Sequence, residues 1–356
     1  MLYQSENNII NNLHIKEITE REELVLRSII QNYILTANPV GSNFLATKFE
    51  EESLSPATLR NVMASLEDKG FISHPHTSAG RVPTDLGYRF YVNKFLKYEK
   101  LNKDEENSIK KNISIASLNN SILQEASNLI GKISNQLGIV TSPELLNSLL
   151  ERIEIIILSS NKVLIVLSLD GFVRTITIEV KSFIERSDLD KIINLLNEKL
   201  SGLTLFEIRN TCHDRLKDFV TDNYNCLIKE LLNKSNIIFS NNIDSERLHL
   251  STTHNIMSQP DFSSIEQLRG IIELVENKEV VIHLLENSRS DNEIEVTIGD
   301  ENEDKRLQNY SIITKKYNAR SALGTIGLIG PKRMNYSRMI SIIDLISKTV
   351  STQTIH

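Results

Sequence analysis

The polar side chains of residues 55–64 combine a guanidinium, a carboxamide and two hydroxyls with small methyl-bearing neighbours. They belong to Ser55, Thr58, Arg60 and Asn61, and the methyl groups are those of Ala57 and Ala64. When a helix enters the major groove of DNA, arginine pairs with guanine, asparagine pairs with adenine, and an alanine methyl meets thymine. A solvated helix surface has a similar composition, so these residues alone leave both interpretations open.

The segment that carries these residues has strong signals for a helix. Ser55 can cap the N-terminus, and Pro56 suits the first helical position because its missing N–H needs no partner there. Gly70 is a stop signal. An apolar stripe follows one side of the helix: Leu59, Val62, Met63 and Leu66. Helical geometry therefore turns the candidate base-reading residues to the opposite side.

Two helices are predicted upstream of this one. Thr19 and Glu22 form a capping-box pair that begins the first helix, which continues to about residue 36. The breaker stretch at 38–41 contains a proline and a glycine. Ser42 is predicted to cap a short second helix. The third helix then completes a helix-turn-helix order.

Residues 71–84 consist of two short apolar ends around a polar loop that contains glycine. This pattern predicts a β-hairpin, or wing, which would place its loop beside phosphates or in the minor groove. The side chains expected to contact DNA there are those of His76, Thr77, Ser78 and Arg81. We do not expect His74 and His76 to bind a metal, because no Cys or acidic partner has a suitable spacing.

The charge distribution restricts any DNA-binding face to a small part of the chain, because the chain as a whole is acidic. The net charge of the chain is −6, and residues 1–100 carry eleven Lys and Arg against twelve Asp and Glu. Residues 53–100 alone carry seven basic against four acidic residues. Charge is therefore weak evidence, and the geometry of the helices and wing has to carry the interpretation.

The rest of the chain alternates between helical and strand-like patterns. An aromatic-rich helix is predicted from Thr84 to Tyr98, then a charged, linker-like stretch at 101–112, and a long amphipathic helix over 115–137. Runs rich in Ile and Val predict strands at 153–158, 163–169, 173–180, 294–298, 310–317 and 323–329, with a closing helix at 336–350.

These elements predict an α+β multidomain protein. An N-terminal winged helix-turn-helix precedes one sheet domain, which is built from both groups of strands and interrupted by a helical insertion at 183–244. The apolar stripes of the insertion need a partner. Packing within the domain and a dimer interface are equally open from these residues alone.

Composition and motifs exclude several other classes of protein. A length of 356 residues with 40% hydrophobic and 24% charged residues is typical of a globular protein with two or three domains. No stretch of the sequence is apolar enough to predict a membrane span or a signal peptide, so we expect a cytoplasmic protein. The chain has no P-loop, HExxH, GxSxG or GxGxxG motif, so we expect no enzyme and no cofactor. Cys212 and Cys226 lack the spacing of a metal site.

Several segments resemble the heat-inducible repressor family HrcA. They are PVGS at 39–42, LSPATLRNVMASLEDKGFI at 54–72, HPHTSAGRVPTDLGYRFYV at 74–92 and GLIGPKRMNY at 327–336. The similarity is dense over residues 19–96 and returns at the C-terminal segment. Between these blocks it rests on the order and length of the elements. A polar, asparagine-rich extension before Ile18 departs from the family pattern and puts no functional residue in doubt.

The resemblance implies a repressor that acts without covalent chemistry. It implies a homodimer on an inverted-repeat operator before chaperone genes, with the chaperonin as the partner that keeps the repressor active. It also implies a winged-helix domain at 1–100, a GAF-like regulatory domain at 101–182 and 245–356, and an inserted dimerisation domain at 183–244.

Two other functions remain open. One is a ligand-responsive winged-helix regulator of other genes, which stabilisation by a metabolite would favour. The other is a protein-interaction scaffold whose winged helix contacts proteins. A lack of salt-sensitive binding to duplex DNA would favour the scaffold.

Overall fold

The computed structural model describes residues 17–355, except for 51–53, 76–79, 97, 119–120, 181–185, 221–224, 241–246, 254–255, 257–258, 260, 262–264 and 287–292. Its helices and antiparallel sheets confirm the α+β class. Among the described residues, no helix combines the length and the apolar character needed to cross a membrane.

The N-terminal part contains three helices, a short hairpin and a fourth helix. These elements are α1 (Glu20–Thr36), α2 (Ser42–Lys48), α3 (Pro56–Asp68), β1 (Ile72–Ser73), β2 (Val82–Pro83) and α4 (Asp85–Phe95). The predicted capping box of Thr19 and Glu22 is present, and Ser55 caps α3. The prediction for α2 is wrong by one residue, because Gly41 is the N-cap and Ser42 is already helical.

The apolar stripes of α1 and α3 meet in a common core. Leu26 and Ile30 of α1 are fully buried, as are Leu59 and Leu66 of α3 and Leu45 of α2. This packing fixes which side of α3 faces away from the molecule. The stripe that was predicted from helical spacing is therefore confirmed as the core side.

The remaining elements follow in chain order. They are α5 (Lys103–Leu118), α6 (Ile122–Ser134), β3 (Leu137–Thr141), β4 (Leu150–Ser159), β5 (Lys162–Leu169), β6 (Phe172–Glu179), α7 (Arg186–Leu200), α8 (Leu205–Leu216), α9 (Asn225–Asn233), α10 (Ser235–Ile238), β7 (Leu248–Leu250), α11 (Ile265–Glu276), α12 (Lys278–Glu286), β8 (Glu295–Ile298), β9 (Tyr310–Ala319), β10 (Ala322–Pro331) and α13 (Tyr336–Ile355).

A five-stranded antiparallel sheet in the order β7-β3-β10-β9-β8 organises the C-terminal part. Successive side chains of its strands enter different cores: Ile312 and Ile329 lie in one cluster, and Ile313 and Leu328 lie in the other. Residues of α6 and α13 cover the second side, and residues of α12 cover the first. The sheet is therefore enclosed between helices on both faces.

The strands β4, β5 and β6 form a sheet of their own, so the expectation that both groups of strands build one sheet is wrong. Asp170 and Gly171 make the tight turn between β5 and β6, both with positive φ, as an Asp-Gly hairpin requires. One face of this sheet packs against α7–α10 in a separate apolar core. The stripes of the predicted helical insertion are buried there, within the unit that contains their own sheet.

Two predictions between residues 101 and 141 are also wrong. The helix expected over 115–137 is divided into α5 and α6, and the stretch expected to be a linker lies largely in α5. Strand β3, at the end of the predicted helix, pairs with both β10 and β7. Its five residues are all buried, so alternation between polar and apolar residues was not available as a signal.

Candidate nucleic-acid interface

The outward face of α3 carries four of the residues that were predicted to read bases. Ala57, Arg60, Asn61 and Ala64 are all exposed and follow the spacing i, i+3, i+4, i+7. The side chains of Leu59, Met63 and Leu66 point into the core instead. The face is thus narrow, polar and bordered by methyl groups, as a helix that inserts into a major groove requires.

Ser55 and Thr58 form a local structure at the N-terminus of α3. Ser55 Oγ accepts a hydrogen bond from the Thr58 N–H at 3.1 Å, and the two side-chain hydroxyls lie 3.0 Å apart. Ser55 is therefore the N-cap, and the Thr58 hydroxyl lies within hydrogen-bonding distance of it. The exposed first turn of the helix keeps its positive dipole end towards solvent, where an anion such as a phosphate is stabilised.

Arg60 is held by the neighbouring helix. Its Nε donates a hydrogen bond to Ser42 Oγ, the first residue of α2, at 3.2 Å. Among the described residues, the two terminal nitrogens of Arg60 have no hydrogen-bond partner. The side chain is thus oriented by α2, and the paired donors that could recognise guanine remain available.

The hairpin after α3 is fastened to the helix through Glu67. The carboxylate of Glu67 pairs with Arg81 Nη2 at 2.8 Å and with His74 Nδ1. Arg81, which was predicted to contact DNA, has a side chain that is 19% exposed and paired with Glu67 in the free protein. His76, Thr77 and Ser78, the other predicted contacts of the loop, lie outside the described residues.

Gly80 allows the hairpin to approach the loop before α2. Val40 and Arg81 exchange two backbone hydrogen bonds, of 2.9 and 2.8 Å, which add a third chain beside β2. A Cβ on Gly80 would lie 2.5 Å from the carbonyl carbon of Val40. Only glycine therefore permits this contact, and the contact sets the position of β2 relative to α2 and α3.

Glu22 connects α1 to the end of α3. Its carboxylate accepts hydrogen bonds from Lys69 Nζ at 2.8 Å, from Ser65 Oγ at 2.6 Å and from the Thr19 N–H at 2.7 Å. Burial alone would raise the pKa of Glu22, but the bonds from Lys69, Ser65 and Thr19 outweigh it and lower the pKa to about 2. The charged form thus holds the two helices in register.

Helix α4 joins these elements to the five-stranded sheet. Asp85 pairs with Lys332 at 2.5 Å, and Arg89 makes a two-pronged ion pair with Glu301. Glu301 belongs to the short 3₁₀ turn Gly299–Glu301 that follows β8. These contacts dock the N-terminal part through α4, on a surface that does not include the exposed face of α3.

Three positioning residues were missed by the sequence analysis: Glu67, Ser42 as a partner of Arg60, and Glu22 as a partner of Lys69. A usable signal existed for Glu67. An acidic residue in the last turn of a helix is unfavourable next to the negative end of the helix dipole, so it indicates a cationic partner nearby. The other two contacts depend on the angle between helices, which local sequence does not encode.

The described residues contain no cluster of three or more His, Cys, Asp or Glu side chains that could hold a metal ion. Cys212 is a free thiol buried in the core between α7–α10 and their sheet. It is packed as a small apolar residue, among leucine and isoleucine side chains.

Comparison with known proteins identifies relatives over nearly the whole chain. Residues 120–340 match a family model described as the HrcA protein C-terminal domain. The "Heat-inducible transcription repressor HrcA" of Chlorobium phaeobacteroides (strain BS1) is 38% identical, over 94% of this chain and 98% of that protein. The protein of the same name from Chlorobium chlorochromatii (strain CaD3) is also 38% identical, over 95% of this chain and 97% of that protein. These relatives are named as transcription repressors and not as enzymes.

A crystal structure described only as that of a hypothetical protein, at 2.2 Å resolution, shares the fold. Its TM-score is 0.58 at 24% sequence identity, over 95% of this chain and 99% of that one. The family is established by the sequence relatives, whose lengths this chain spans almost completely. The chain belongs to the heat-inducible transcription repressor HrcA family.

Proposed function

We propose that this chain represses transcription by binding a specific operator with the exposed face of α3. Residues 1–100 then act as a winged helix-turn-helix, with α3 in the major groove and the β1–β2 loop beside the backbone. The observation that carries the proposal is the exposed row of Ala57, Arg60, Asn61 and Ala64, with Arg60 oriented by Ser42. The operator is proposed to be an inverted repeat that precedes chaperone genes. The protein is proposed to act in the cytoplasm of a bacterium.

Footprinting on the chaperonin promoter of the source genome tests this function directly. We expect protection of two half-sites, and we expect the affinity to fall steeply with salt because phosphates are neutralised. A scrambled duplex of the same length is the control. Equal affinity for both duplexes, or affinity that salt leaves unchanged, would contradict sequence-specific repression.

The homodimer is proposed to form through the open face of the β4–β5–β6 sheet. Ile156 and Val173 are 47% and 70% exposed on that face. The pairing with β5 shows that they share a face, because Ile156 lies opposite Leu164 and Val173 lies opposite Ser168. Residues 164 and 168 are four positions apart in one strand and so point to the same side of the sheet. This face also carries the ion pair of Arg152 and Glu154. Such a partly apolar face can be covered by the same face of a second copy around a two-fold axis. That symmetry matches an inverted repeat.

The two separate sheets support revised domain boundaries. We propose a DNA-binding domain at 1–100, a GAF-like domain at 101–141 and 248–356, and an inserted dimerisation domain at 142–247. The inserted unit has its own sheet and its own core, whereas the earlier boundaries divided that sheet from the helices that cover it. The five-stranded sheet with helices on both faces is the part proposed as GAF-like.

Dependence on the chaperonin is proposed from the folding problem that this chain presents. The segments of β4 and β5, which are rich in isoleucine and valine, become partly buried only after they pair with each other and with the helices that follow. Exposed segments of this type pair wrongly when a sheet folds slowly. When misfolded proteins occupy the chaperonin, less active repressor is formed and chaperone synthesis rises.

Refolding tests this dependence. Denatured protein is diluted with and without chaperonin and ATP, and the fraction that binds the operator is measured at growth and heat-shock temperatures. We expect the chaperonin to raise that fraction most at the higher temperature. Near-complete recovery without chaperonin at both temperatures would contradict the dependence and leave the DNA-binding proposal unaffected.

A further inference from the structure

A single hydrogen bond between two side chains, those of Arg60 and Ser42, links the exposed face of α3 to α2. The Arg60 Nε–H donates to Ser42 Oγ at 3.2 Å, and Ser42 is the first residue of α2. Within the described part of the chain, the Ser42 hydroxyl has no other hydrogen-bond partner. It does not cap its own helix, whose N-cap is Gly41. The hydroxyl of Ser42 therefore serves Arg60.

The group that holds Arg60 carries no charge. By contrast, Arg81 and Lys69, which lie near the C-terminal end of α3, each pair with a carboxylate. Side chains three and four positions apart meet on a helix surface, and at those positions from Arg60 the chain has Pro56, Ala57, Met63 and Ala64. None of these is acidic. Ser42 therefore orients the guanidinium of Arg60 and leaves its positive charge unneutralised.

The position of this bond decides which donors of Arg60 can meet DNA. A guanidinium can present two hydrogens side by side, either from Nε and one terminal nitrogen or from the two terminal nitrogens. Because Ser42 occupies Nε, only the terminal pair stays available. In the major groove guanine offers two acceptors, O6 and N7, whereas each of the other bases offers at most one. The available pair of Arg60 therefore matches guanine.

We propose that Ser42 is a positioning residue for base recognition, which holds Arg60 so that its two terminal nitrogens read one guanine in each half-site. This inference rests on the proposed function, and it adds the identity of one base and a specificity-determining residue outside α3. A free arginine side chain samples many rotamers, so the restraint lowers the entropy that is lost when both bonds form. An unrestrained Arg60 can still bind a phosphate. Loss of the Ser42 hydroxyl should therefore reduce specificity more than general affinity for DNA.

Modified bases test this inference at the level of single atoms. Full-length protein is titrated with the operator duplex defined by footprinting, in which each guanine of one half-site is replaced in turn. The base 7-deazaguanine lacks the N7 acceptor, whereas hypoxanthine keeps O6 and N7 and lacks only the minor-groove amino group. At one guanine we expect 7-deazaguanine to weaken binding about tenfold, as the loss of a charge-assisted hydrogen bond implies, and hypoxanthine to have little effect.

Variants of the two residues separate positioning from general effects on the fold. Ser42→Ala should reduce the effect of 7-deazaguanine to about twofold, because an untethered arginine adopts the required geometry less often. Ser42→Thr keeps the hydroxyl and should retain the effect, and Arg60→Ala should abolish it. Adding Ser42→Ala to Arg60→Ala should weaken operator binding no further. Thr47→Ala is the control, since it removes a hydroxyl of α2 that bonds to the Phe44 carbonyl at 2.7 Å, and it should leave the effect unchanged.

Four results would overturn the inference. They are an effect of 7-deazaguanine in Ser42→Ala as large as in the parent, loss of that effect in Ser42→Thr, an undiminished effect in Arg60→Ala, and a parent in which no guanine responds. If the parent still prefers the operator to a scrambled duplex, any of these results leaves the proposed repressor function intact. A parent with equal affinity for both duplexes would remove the proposed function and this inference together.

Discussion

The carboxylate of Asp85 occupies the space that a side chain at Gly299 would need. An ideal Cβ on Gly299 would lie 1.7 Å from Asp85 Oδ2, and the backbone of Gly299 has a φ of +58°. The same carboxylate accepts a hydrogen bond from the Asp300 N–H at 3.0 Å and pairs with Lys332. The joint between α4 and the sheet therefore requires a residue without a side chain at position 299.

Gly299→Ala should loosen this joint. The positive φ costs about 1–2 kcal/mol in any L-residue, and displacement of Asp85 adds to that cost. Gly202→Ala is the matched control, because Gly202 has a φ of +80° and no atom within 4 Å of its ideal Cβ. Thermal unfolding should show the larger loss of stability in Gly299→Ala. Equal losses in the two variants would show that Asp85 relaxes at no cost.

Arg60→Ala and Asn61→Ala should each weaken operator binding by about 1–3 kcal/mol, if each contacts a base. Binding to random duplex should change less, since base contacts carry sequence information and phosphate contacts do not. Arg21→Ala, an exposed arginine on α1, is the control. Titration of operator and random duplex separates the outcomes. Equal losses on both would assign these residues to phosphates, and no loss would remove them from the interface.

Gly80→Ala should move the wing. Its Cβ would meet the Val40 backbone at 2.5 Å, whereas a Cβ on Gly41 would have no atom within 4 Å. We expect Gly80→Ala to disrupt the two hydrogen bonds between Val40 and Arg81 and to reduce operator affinity several-fold. Gly41→Ala should cost up to about 1 kcal/mol of stability, because alanine is a poorer N-cap than glycine, but its φ of −95° suits any residue and the bonds between Val40 and Arg81 should remain. Indistinguishable operator affinities in these two variants would contradict a wing positioned by this contact.

Glu22 should make stability depend on pH. Its pKa is lowered to about 2 in the folded chain, below its ordinary value near 4.5, so its contribution is present above pH 4.5 and is lost as pH falls towards 2. Glu22→Gln should cost about 2 kcal/mol at pH 7 and much less at pH 3. Urea unfolding at the two values measures this, with the exposed Glu20→Gln as control. A cost for Glu22→Gln that is the same at both values would contradict a charge-dependent link.

Val173→Glu should prevent dimerisation. Val173 lies near the start of the edge strand β6, opposite Ser168, and a carboxylate there would lose its hydration when a second copy covers this face. Leu118→Glu is the control, because Leu118 is even more exposed, at 83% against 70%, and lies on α5 outside the β4–β6 face. Sedimentation at micromolar concentration should show a monomer only for Val173→Glu. That variant should also bind the full operator perhaps 10²-fold more weakly, since the gain from linking two half-sites is lost. A monomeric parent protein would contradict the proposed dimer.

Local rules predicted the N-terminal part well. Caps, prolines and apolar spacing depend on residues a few positions apart, so the start of α3 and its exposed face could be derived from the sequence. The pairing of strands depends on residues far apart in the chain, and periodicity alone could not show that β4, β5 and β6 form a sheet separate from the five-stranded one. The Asn-Asn-Ser stretch at 119–121 was the available signal for the break between α5 and α6.

The candidate site shows the same division. Arg60 was predicted to face outward because helical geometry requires it, but its bond to Ser42 depends on how α2 and α3 pack. Arg81 was identified as a functional cation of the wing, yet its ion pair with Glu67 could not be predicted without the position of the hairpin against α3. Residue type indicated which groups can bind DNA, and tertiary packing decides which of them are already occupied.

The pairing of β3 with β10 also determines when this sheet can form during translation. Ile326 lies opposite Val140, and both α6 and β3 leave the ribosome long before β10 does. At roughly 5–20 residues per second, the nascent chain waits on the order of 10–40 s for the strand that completes its centre. During that interval the apolar residues of β3, all buried in the finished protein, have no native partner in β10. If the proposed dependence on the chaperonin holds, the youngest repressor molecules are the ones most exposed to a shortage of folding assistance, and the rate of new synthesis would set how quickly the cell senses that shortage.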